Sequence, residues 1–262
     1  MAGVFYPEER DEAEAALDAL QVRAGHGGLA RAIVAPHAGW DISGRITAAA
    51  FSAASGREPS TVVVLGPVHE RRDEGIFLSD SDCFQTPIGD IPVDLELCEE
   101  LGSCGTCFVT NDIPHLAEHS IEIVLPFVKR CFPAASLVPV LVAGEKPSTA
   151  AALSRALDLV FDPIADSTLF VVSTNLCEHL ETSSSRLHAE AFLNLLLEGD
   201  RDGIFALLEA GKISACGAAA CAALLGTRLL AARSSRLVAK ASSAEDGAET
   251  RKCVHYAAVA FD

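Results

Sequence analysis

Three short runs that are apolar on both faces constrain this chain more than any other feature. They are VVVLG at Val62–Gly66, LVPVLV at Leu137–Val142 and LFVVS at Leu169–Ser173. Strands that lack a polar face are typical of a mostly parallel sheet covered by helices on both sides. Longer segments with helical periodicity follow most of the apolar runs. The alternation predicts an α/β fold, a three-layer αβα domain built around a mostly parallel mixed sheet.

The apolar runs and periodic segments give a specific set of elements. The pattern predicts strands at Ala32–Ala35, Thr61–Leu65, Gly75–Leu78, Ser136–Val142, Leu169–Ser173, Arg236–Ala241 and Val254–Phe261. It predicts helices at Pro7–Ala24, Ser43–Ser55, Asp94–Leu101, Ser120–Cys131, Pro147–Phe161, Ser184–Glu198, Asp200–Ala210 and Gly217–Arg233. No repeat, linker or composition shift interrupts them, so we expect one domain over residues 1–262.

Charge and cysteine content exclude several classes of partner and location. The chain has 36 acidic and 20 basic residues and a net charge of −16, which argues against nucleic acid or an anionic membrane as the main partner. Its longest uncharged apolar run, Ile213–Thr227, is too short to span a bilayer. No signal peptide is visible, and nine cysteines in mostly apolar context indicate free thiols. We expect a cytoplasmic protein.

Polar residues follow three of the predicted strands directly. His37 follows the first and His69 the second, and Asn175, Glu178 and His179 follow the strand LFVVS. In open α/β sheets, ligands bind where the loops at the carboxyl ends of strands meet. The three strand ends therefore predict one common cleft.

Two histidines with a carboxylate are the ligand set of non-haem iron(II) oxygenases, and zinc hydrolases use the same types of ligand. His37 and His69 supply the histidines, and Glu245, Asp246 or Glu178 supplies the carboxylate. The predicted cofactor is a divalent metal ion, with Fe(II) first and zinc or copper as alternatives. An alternative leaves both histidines as structural groups bonded to backbone carbonyls.

The stretch EHSIEIVLPF, Glu118–Phe127, is a fourth candidate for the site. Imidazole titrates near neutral pH, so His119 or His179 would serve as the acid–base group beside a metal. Equally, Ser120 or His119 could cap a helix whose first turn carries Glu122. Both interpretations stay open at this point.

Six ordered motifs resemble the Memo family, whose bacterial and archaeal members are often called AmmeMemoRadiSam system protein B. They are AGVFYP, IVAPHAGWDISG, VVVLGPVH, FQTPIGDIPVD, EHSIEIVLPF and VHYAAVAF, and they span nearly the whole chain. The resemblance implies a fold similar to the class III extradiol dioxygenases, which use non-haem iron(II). It places His37 and His69 at the two histidine positions of the Memo site.

The resemblance also places the third position of the Memo site in the loop before the last strand, where animal members of the family have cysteine. Counting back from Tyr256 without gaps gives Asp246, and the bacterial Ser-Gly-Asp pattern gives Glu245. The family motif Ser-Ser-Asp-x-x-His departs here, because Asn175 replaces the aspartate and Glu178 replaces the histidine, with His179 one place late. Asn175 cannot be a charged ligand or a general base, whereas Glu178 could be a ligand.

Two functions are consistent with these residues and the resemblance. The first is a non-haem metal-dependent oxidoreductase that acts on a small molecule in the cleft, with Asn175, Glu178, His119 and His179 around the reacting atoms. The second is a catalytically inactive module that binds a peptide or protein partner in the same cleft.

Overall fold

A computed structural model describes residues 1–24, 27–70, 74–231, 233–243 and 252–262. The strands are β1 (Ala32–Ala35), β2 (Thr61–Pro67), β3 (Gly75–Leu78), β4 (Cys83–Phe84), β5 (Ile91–Pro92), β6 (Phe108–Thr110), β7 (Ser136–Ala143), β8 (Thr168–Ser173), β9 (Cys177–Glu181), β10 (Ser235–Ser242) and β11 (Lys252–Phe261). The helices are α1 (Arg10–Ala24), α2 (Trp40–Ser52), α3 (Leu95–Gly102), α4 (Ile113–Ala117), α5 (Leu125–Cys131), α6 (Pro147–Phe161), α7 (Thr182–Glu198), α8 (Arg201–Glu209) and α9 (Ala218–Leu225).

One large mixed sheet organises the chain. Its strand order is β10-β11-β1-β8-β2-β7-β3-β6, and β9 pairs with β11. The four central strands β1, β8, β2 and β7 are mutually parallel, whereas β11 and β3 run antiparallel to their central neighbours. The carboxyl ends of β1, β8 and β2 therefore lie side by side at one edge.

Alternate residues of the central strands face two separate cores. Val63 and Leu65 of β2 belong to the core that includes residues of α3, α6, α7, α8 and α9, while Val62 and Val64 belong to the core that includes residues of α1, α2 and α5. All four side chains are fully buried. The strand is apolar throughout because each face is covered by helices. The predicted three-layer α/β architecture is confirmed.

The structure corrects two of the predicted helices. The segment Ser120–Cys131 forms a 3-10 helix at Glu122–Val124 before α5 begins, and Pro126 occupies the first turn of α5, where its missing N–H costs nothing. The segment Gly217–Arg233 ends as an α-helix at Leu225 and continues as a 3-10 helix at Arg228–Leu230. The pattern also missed the short elements β4, β5, β6, β9 and α4.

None of the helices in the described ranges combines the length and apolar composition that crossing a bilayer requires.

Candidate metal centre

Three loops that leave parallel strands meet at one edge of the sheet. His37 lies two residues beyond β1, His69 two residues beyond β2, and Asn175 two residues beyond β8. The ring centroids of His37 and His69 are 5.2 Å apart. His119 joins them, with centroids 4.6 Å from His69 and 5.5 Å from His37. The structure thus brings together three histidines that are far apart in the sequence.

The hydrogen bonds of His37 fix which of its ring nitrogens carries the proton. The Ser173 hydroxyl donates to the carbonyl of Ser120 at 2.5 Å, so its oxygen accepts at the contact with His37 Nδ1, at 2.8 Å. The proton of neutral His37 therefore sits on Nδ1, and the lone pair sits on Nε2. That Nε2 atom lies 3.1 Å from the sulfur of Cys216.

Glu118 holds the other two histidines. Its Oε1 atom lies 2.9 Å from Nδ1 of His69 and 3.1 Å from Nδ1 of His119. Burial alone would raise the pKa of Glu118, but hydrogen bonds from His119 and His69 hold that pKa far below its usual range. Because an ionised carboxylate can only accept, both histidines donate from Nδ1 and carry their lone pair on Nε2 when neutral.

Backbone groups also converge on the Glu118 carboxylate. The N–H of His69 donates to Oε2 at 2.7 Å, and those of His119 and Ser120 donate to Oε1 at 2.8 and 3.0 Å. The side chain of Glu118 is 5% exposed. A carboxylate this buried is stabilised by its donors, and in turn it fixes the backbone that carries two histidines.

Cys216 is a site residue that the sequence pattern did not reveal. It precedes Gly217, the residue at the start of α9, and its sulfur accepts the backbone N–H of Asn175 at 3.4 Å. The added Cβ of an alanine at position 217 would lie 2.6 Å from the side chain of Thr174, so glycine lets α9 approach the end of β8 closely. The available sequence signal was a Cys-Gly pair at the start of an apolar helix, which is common in buried helices and points to no particular chemistry.

Two groups of donor atoms at this edge could hold a metal ion. One is His37, His69 and Cys216, and the other is His69, Glu118 and His119; within each group the donor atoms lie within 4.8 Å of one another. The second group uses the Glu118 oxygens that already accept several N–H groups. The first group offers a thiol and two imidazole Nε2 lone pairs, and it is the better candidate on these grounds.

The remaining predicted site residues fall into two sets. Asn175 lies in the cluster, where its side-chain oxygen accepts the backbone N–H of His37 at 3.3 Å. The backbone of Glu178 and His179 belongs to β9, but their side chains lie outside the described residues, and so do Glu245 and Asp246 altogether. A carboxylate ligand from Glu178, Glu245 or Asp246 stays a prediction, and so does the acid–base role of His179.

The N-terminal segment covers one side of the histidines. The ring of Phe5 stacks on His119 with centroids 5.2 Å apart and planes 5° apart. The Tyr6 hydroxyl donates to Glu122 at 2.8 Å, and the N-terminal amine lies 3.0 Å from the same oxygen. Burial and the Glu122 carboxylate raise the pKa of Tyr6 above its usual range, so the hydroxyl keeps its proton. Glu122 thus anchors the segment that holds Phe5 over His119.

Comparison with protein families gives a match over almost the entire chain. The family described as Memo-like protein matches residues 1–260. A MEMO1 family protein of Aeropyrum pernix is 29% identical over 271 residues, covering 98% of this chain and 96% of the relative. A MEMO1 family protein of Thermotoga neapolitana is 30% identical over 271 residues, with the same coverage of both chains.

A solved structure shares the fold at low sequence identity. The crystal structure of an uncharacterized protein from Escherichia coli K12 superposes with a TM-score of 0.56 and 12% identity. The match covers 87% of this chain and 98% of the other. At that identity the likeness supports the fold and carries no functional information.

Proposed function

The chain belongs to the Memo-like protein family, and from that premise we propose that it is a metal-dependent oxidoreductase for a small molecule. The observation that carries the proposal is the convergence of one donor atom each from His37, His69 and Cys216 within 4.8 Å of one another, beside the carboxyl ends of parallel strands. These are three donors of types that bind transition metals.

The donors fit a metal because hydrogen bonds already hold them in the ligating form. Ser173 and Glu118 accept the Nδ1 protons of His37 and His69, which is how metal-binding imidazoles are oriented in proteins. Imidazole suits iron, copper and zinc, and a thiolate favours copper(I), zinc and iron over magnesium or calcium. A redox-active ion bound there would supply electron transfer or activation of dioxygen or water.

The protein side chains around these donors have distinct parts in the proposed reaction. Cys216 loses its proton to solvent when it becomes a ligand, because the Nε2 lone pair of His37, 3.1 Å away, is itself a metal donor. His119 is held by Glu118 through Nδ1 and is 27% exposed, so it is placed to exchange a proton with substrate. Phe5 packs on one face of His119 and limits the access of water from that side.

The experiment is reconstitution of the purified chain under anaerobic conditions with Fe(II), Zn(II) or Cu(I), followed by elemental analysis. We expect about one metal per chain for the wild type, as a single three-donor site predicts. His37→Ala, His69→Ala and Cys216→Ser should each lower the metal content sharply. Cys104→Ser is the matched control, because that partly buried thiol belongs to neither donor group.

Equal metal content in the wild type and the Cys216→Ser variant would overturn the assignment of the thiol as a ligand. Failure of all three metals to bind would end the oxidoreductase proposal. If one metal binds, dioxygen uptake with phenols and other small reductants tests turnover in the same samples.

Peptide binding is a second candidate, and a groove at the N-terminal segment favours it. The groove has a volume of about 700 Å³ and is lined by Phe5, which stacks on His119, and by Trp40. Glu8, Glu12 and Asp41 also line it, so its charge suits a basic peptide with an apolar anchor. Fluorescence anisotropy with a labelled Lys- and Trp-containing peptide, compared with its Glu-containing counterpart, tests this candidate. Peptide binding by a metal-free Cys216→Ser variant would show that the peptide site does not depend on the proposed metal site.

A further inference from the structure

A second cavity adjoins the histidine cluster at Glu118. Its volume is about 370 Å³, within the range of small-molecule sites. Glu118 belongs to both places, because it lines the cavity and its carboxylate binds His69 and His119. None of the donors His37, His69 and Cys216 lines the cavity, so a ligand could bind in it whether or not a metal is present.

Part of the cavity lining is apolar. It consists of the ring of Phe84 and three aliphatic side chains, those of Leu116, Ile121 and Leu141. Leu141 is fully buried, whereas Leu116 is 82% exposed and therefore lies at the mouth. An aromatic ring beside aliphatic side chains suits the apolar body of a small ligand.

The polar groups of the cavity are mostly hydrogen-bond acceptors. Three carboxylates line it, those of Asp112, Glu118 and Glu122, and no lysine or arginine is found among the described lining residues. The carboxyl group of Asp80 lies beside Asp112, and that contact raises the pKa of Asp80. The cavity therefore disfavours anionic ligands and suits a cationic or neutral ligand that donates hydrogen bonds.

His115 supplies an acceptor that has no partner in the described chain. Its Nε2–H donates to the carbonyl of Phe77 at 3.3 Å, which leaves the lone pair on Nδ1. That Nδ1 is buried without a hydrogen-bond partner, and the residue is 8% exposed. Burial lowers the pKa of His115 to about 4, so the ring is neutral at pH 7. A buried acceptor without a donor is uncommon in native proteins and marks a place where a ligand group can bind.

We propose that this cavity binds a small primary amine whose apolar body packs on Phe84 and whose ammonium group donates to the Asp112 carboxylate and the His115 ring. Asp112 is suited to the ammonium group because it is ionised: burial alone would raise its pKa, but the hydroxyls of Ser79 and Ser81 lower it. Those two hydroxyls bind the two Asp112 oxygens and fix the carboxylate in place.

Three probes with one carbon skeleton test the charge preference: 2-phenylethylamine, 2-phenylethanol and phenylacetate. Binding to the intact chain is measured by saturation-transfer NMR and titration calorimetry. We expect the amine to bind about tenfold or more tightly than phenylacetate, since a carboxylate probe would face the Asp112 carboxylate with no lysine or arginine among the described lining residues. The alcohol should lie between them.

Two variants locate the binding. Leu116→Trp should fill the mouth and weaken amine binding about tenfold or more, whereas Leu159→Trp, at a leucine 70% exposed on α6, should leave it unchanged. Asp112→Asn should weaken the amine more than the alcohol, because it removes charge and keeps shape.

Equal affinity for the amine and phenylacetate, or no amine binding at all, would overturn the proposal. So would amine binding that Leu116→Trp and Asp112→Asn both leave intact. Metal content measured on the same two variants should equal that of the wild type, which separates this cavity from the metal site. If the chain binds the amine but none of the three metals, only the oxidoreductase proposal is overturned. If it binds a metal but not the amine, only the cavity proposal is overturned.

Discussion

Charged side chains are exposed at one end of the central parallel strands and buried at the other. At the amino end, Arg31 precedes β1 and binds Asp166 at 2.7 Å, and the Asp166 side chain is 91% exposed. At the carboxyl end, Glu118 is 5% exposed and binds His69 and His119. Water can replace a lost partner at the amino end but not at the carboxyl end. The same sheet thus has one end that tolerates change and one where each polar group has a required partner.

Removal of the buried carboxylate should have the largest effect. Glu118→Ala leaves three backbone N–H groups and two histidine side chains without their acceptor, and we expect a loss of about 3–5 kcal/mol in the free energy of unfolding. Urea denaturation measures the loss. Glu74→Ala is the control, because its ion pair with Lys146 is largely exposed and should be worth less than about 1 kcal/mol. Similar midpoints for the two variants would contradict the contrast between buried and exposed charge.

Acid should destabilise the protein through His115. Its pKa is about 4 in the folded chain against 6.5 for a free histidine, so the unfolded state binds a proton first as pH falls. The contribution of neutral His115 to stability is complete above about pH 6.5, declines as pH falls and is lost near pH 4. The free energy of unfolding changes by at most about 3 kcal/mol over this range.

The check on His115 is urea denaturation between pH 7 and pH 4 for the wild type and for His115→Gln. Glutamine keeps a donor for the Phe77 carbonyl but does not titrate. The slope of stability with pH should be shallower in the variant between pH 6.5 and pH 4, and identical slopes would show that His115 is not the titrating group.

Close packing beneath the site should make Gly66 intolerant of a side chain. A Cβ at position 66 would lie 2.6 Å from the hydroxyl oxygen of Ser120 and 2.8 Å from Ile121. We expect Gly66→Ala to cost about 1–3 kcal/mol by overpacking and to lower metal content, because the Ser120 carbonyl accepts from the Ser173 hydroxyl that orients His37. At Gly102, the nearest atom to an added Cβ is 3.7 Å away, so Gly102→Ala should be tolerated. Thermal denaturation with elemental analysis compares the two variants.

The smallest effect is expected at the amino end of the strands. Asp166→Ala removes the partner of Arg31, but water can solvate that guanidinium at once. The melting temperature and the metal content should both match the wild type within error. A measurable loss of either would show that the two ends of the sheet are more alike than their exposure suggests.

Much of the sheet could be predicted from local patterns. Strands β1 and β3 and helix α6 have the predicted bounds, and β2, β7 and β8 extend the predictions by one or two residues. A fully apolar run is itself the mark of burial on both faces, so the pattern carries the information. The short strands β4, β5 and β6 have two or three residues each, too few for a period to show.

The site was predictable in part. His37, His69 and Asn175 each follow a strand, and the parallel neighbours β1, β8 and β2 bring them together. Cys216 could not be found in this way, because it lies 179 residues from His37 along the chain and follows no strand of the central sheet. Glu118 begins a stretch for which the sequence leaves both a site and a helix cap open, since the sequence does not show that its carboxylate turns back to the loop after β2.

The sequence by itself determined the α/β alternation, the buried central strands and the family, because periodicity and motif order are properties of neighbouring residues. The tertiary structure decided the rest: which strand ends are neighbours, which nitrogen of each histidine carries its proton, and that a thiol beside α9 meets His37. These depend on strand order and on hydrogen bonds between segments far apart in the chain, and local composition does not encode which distant groups will be within hydrogen-bond distance of each other.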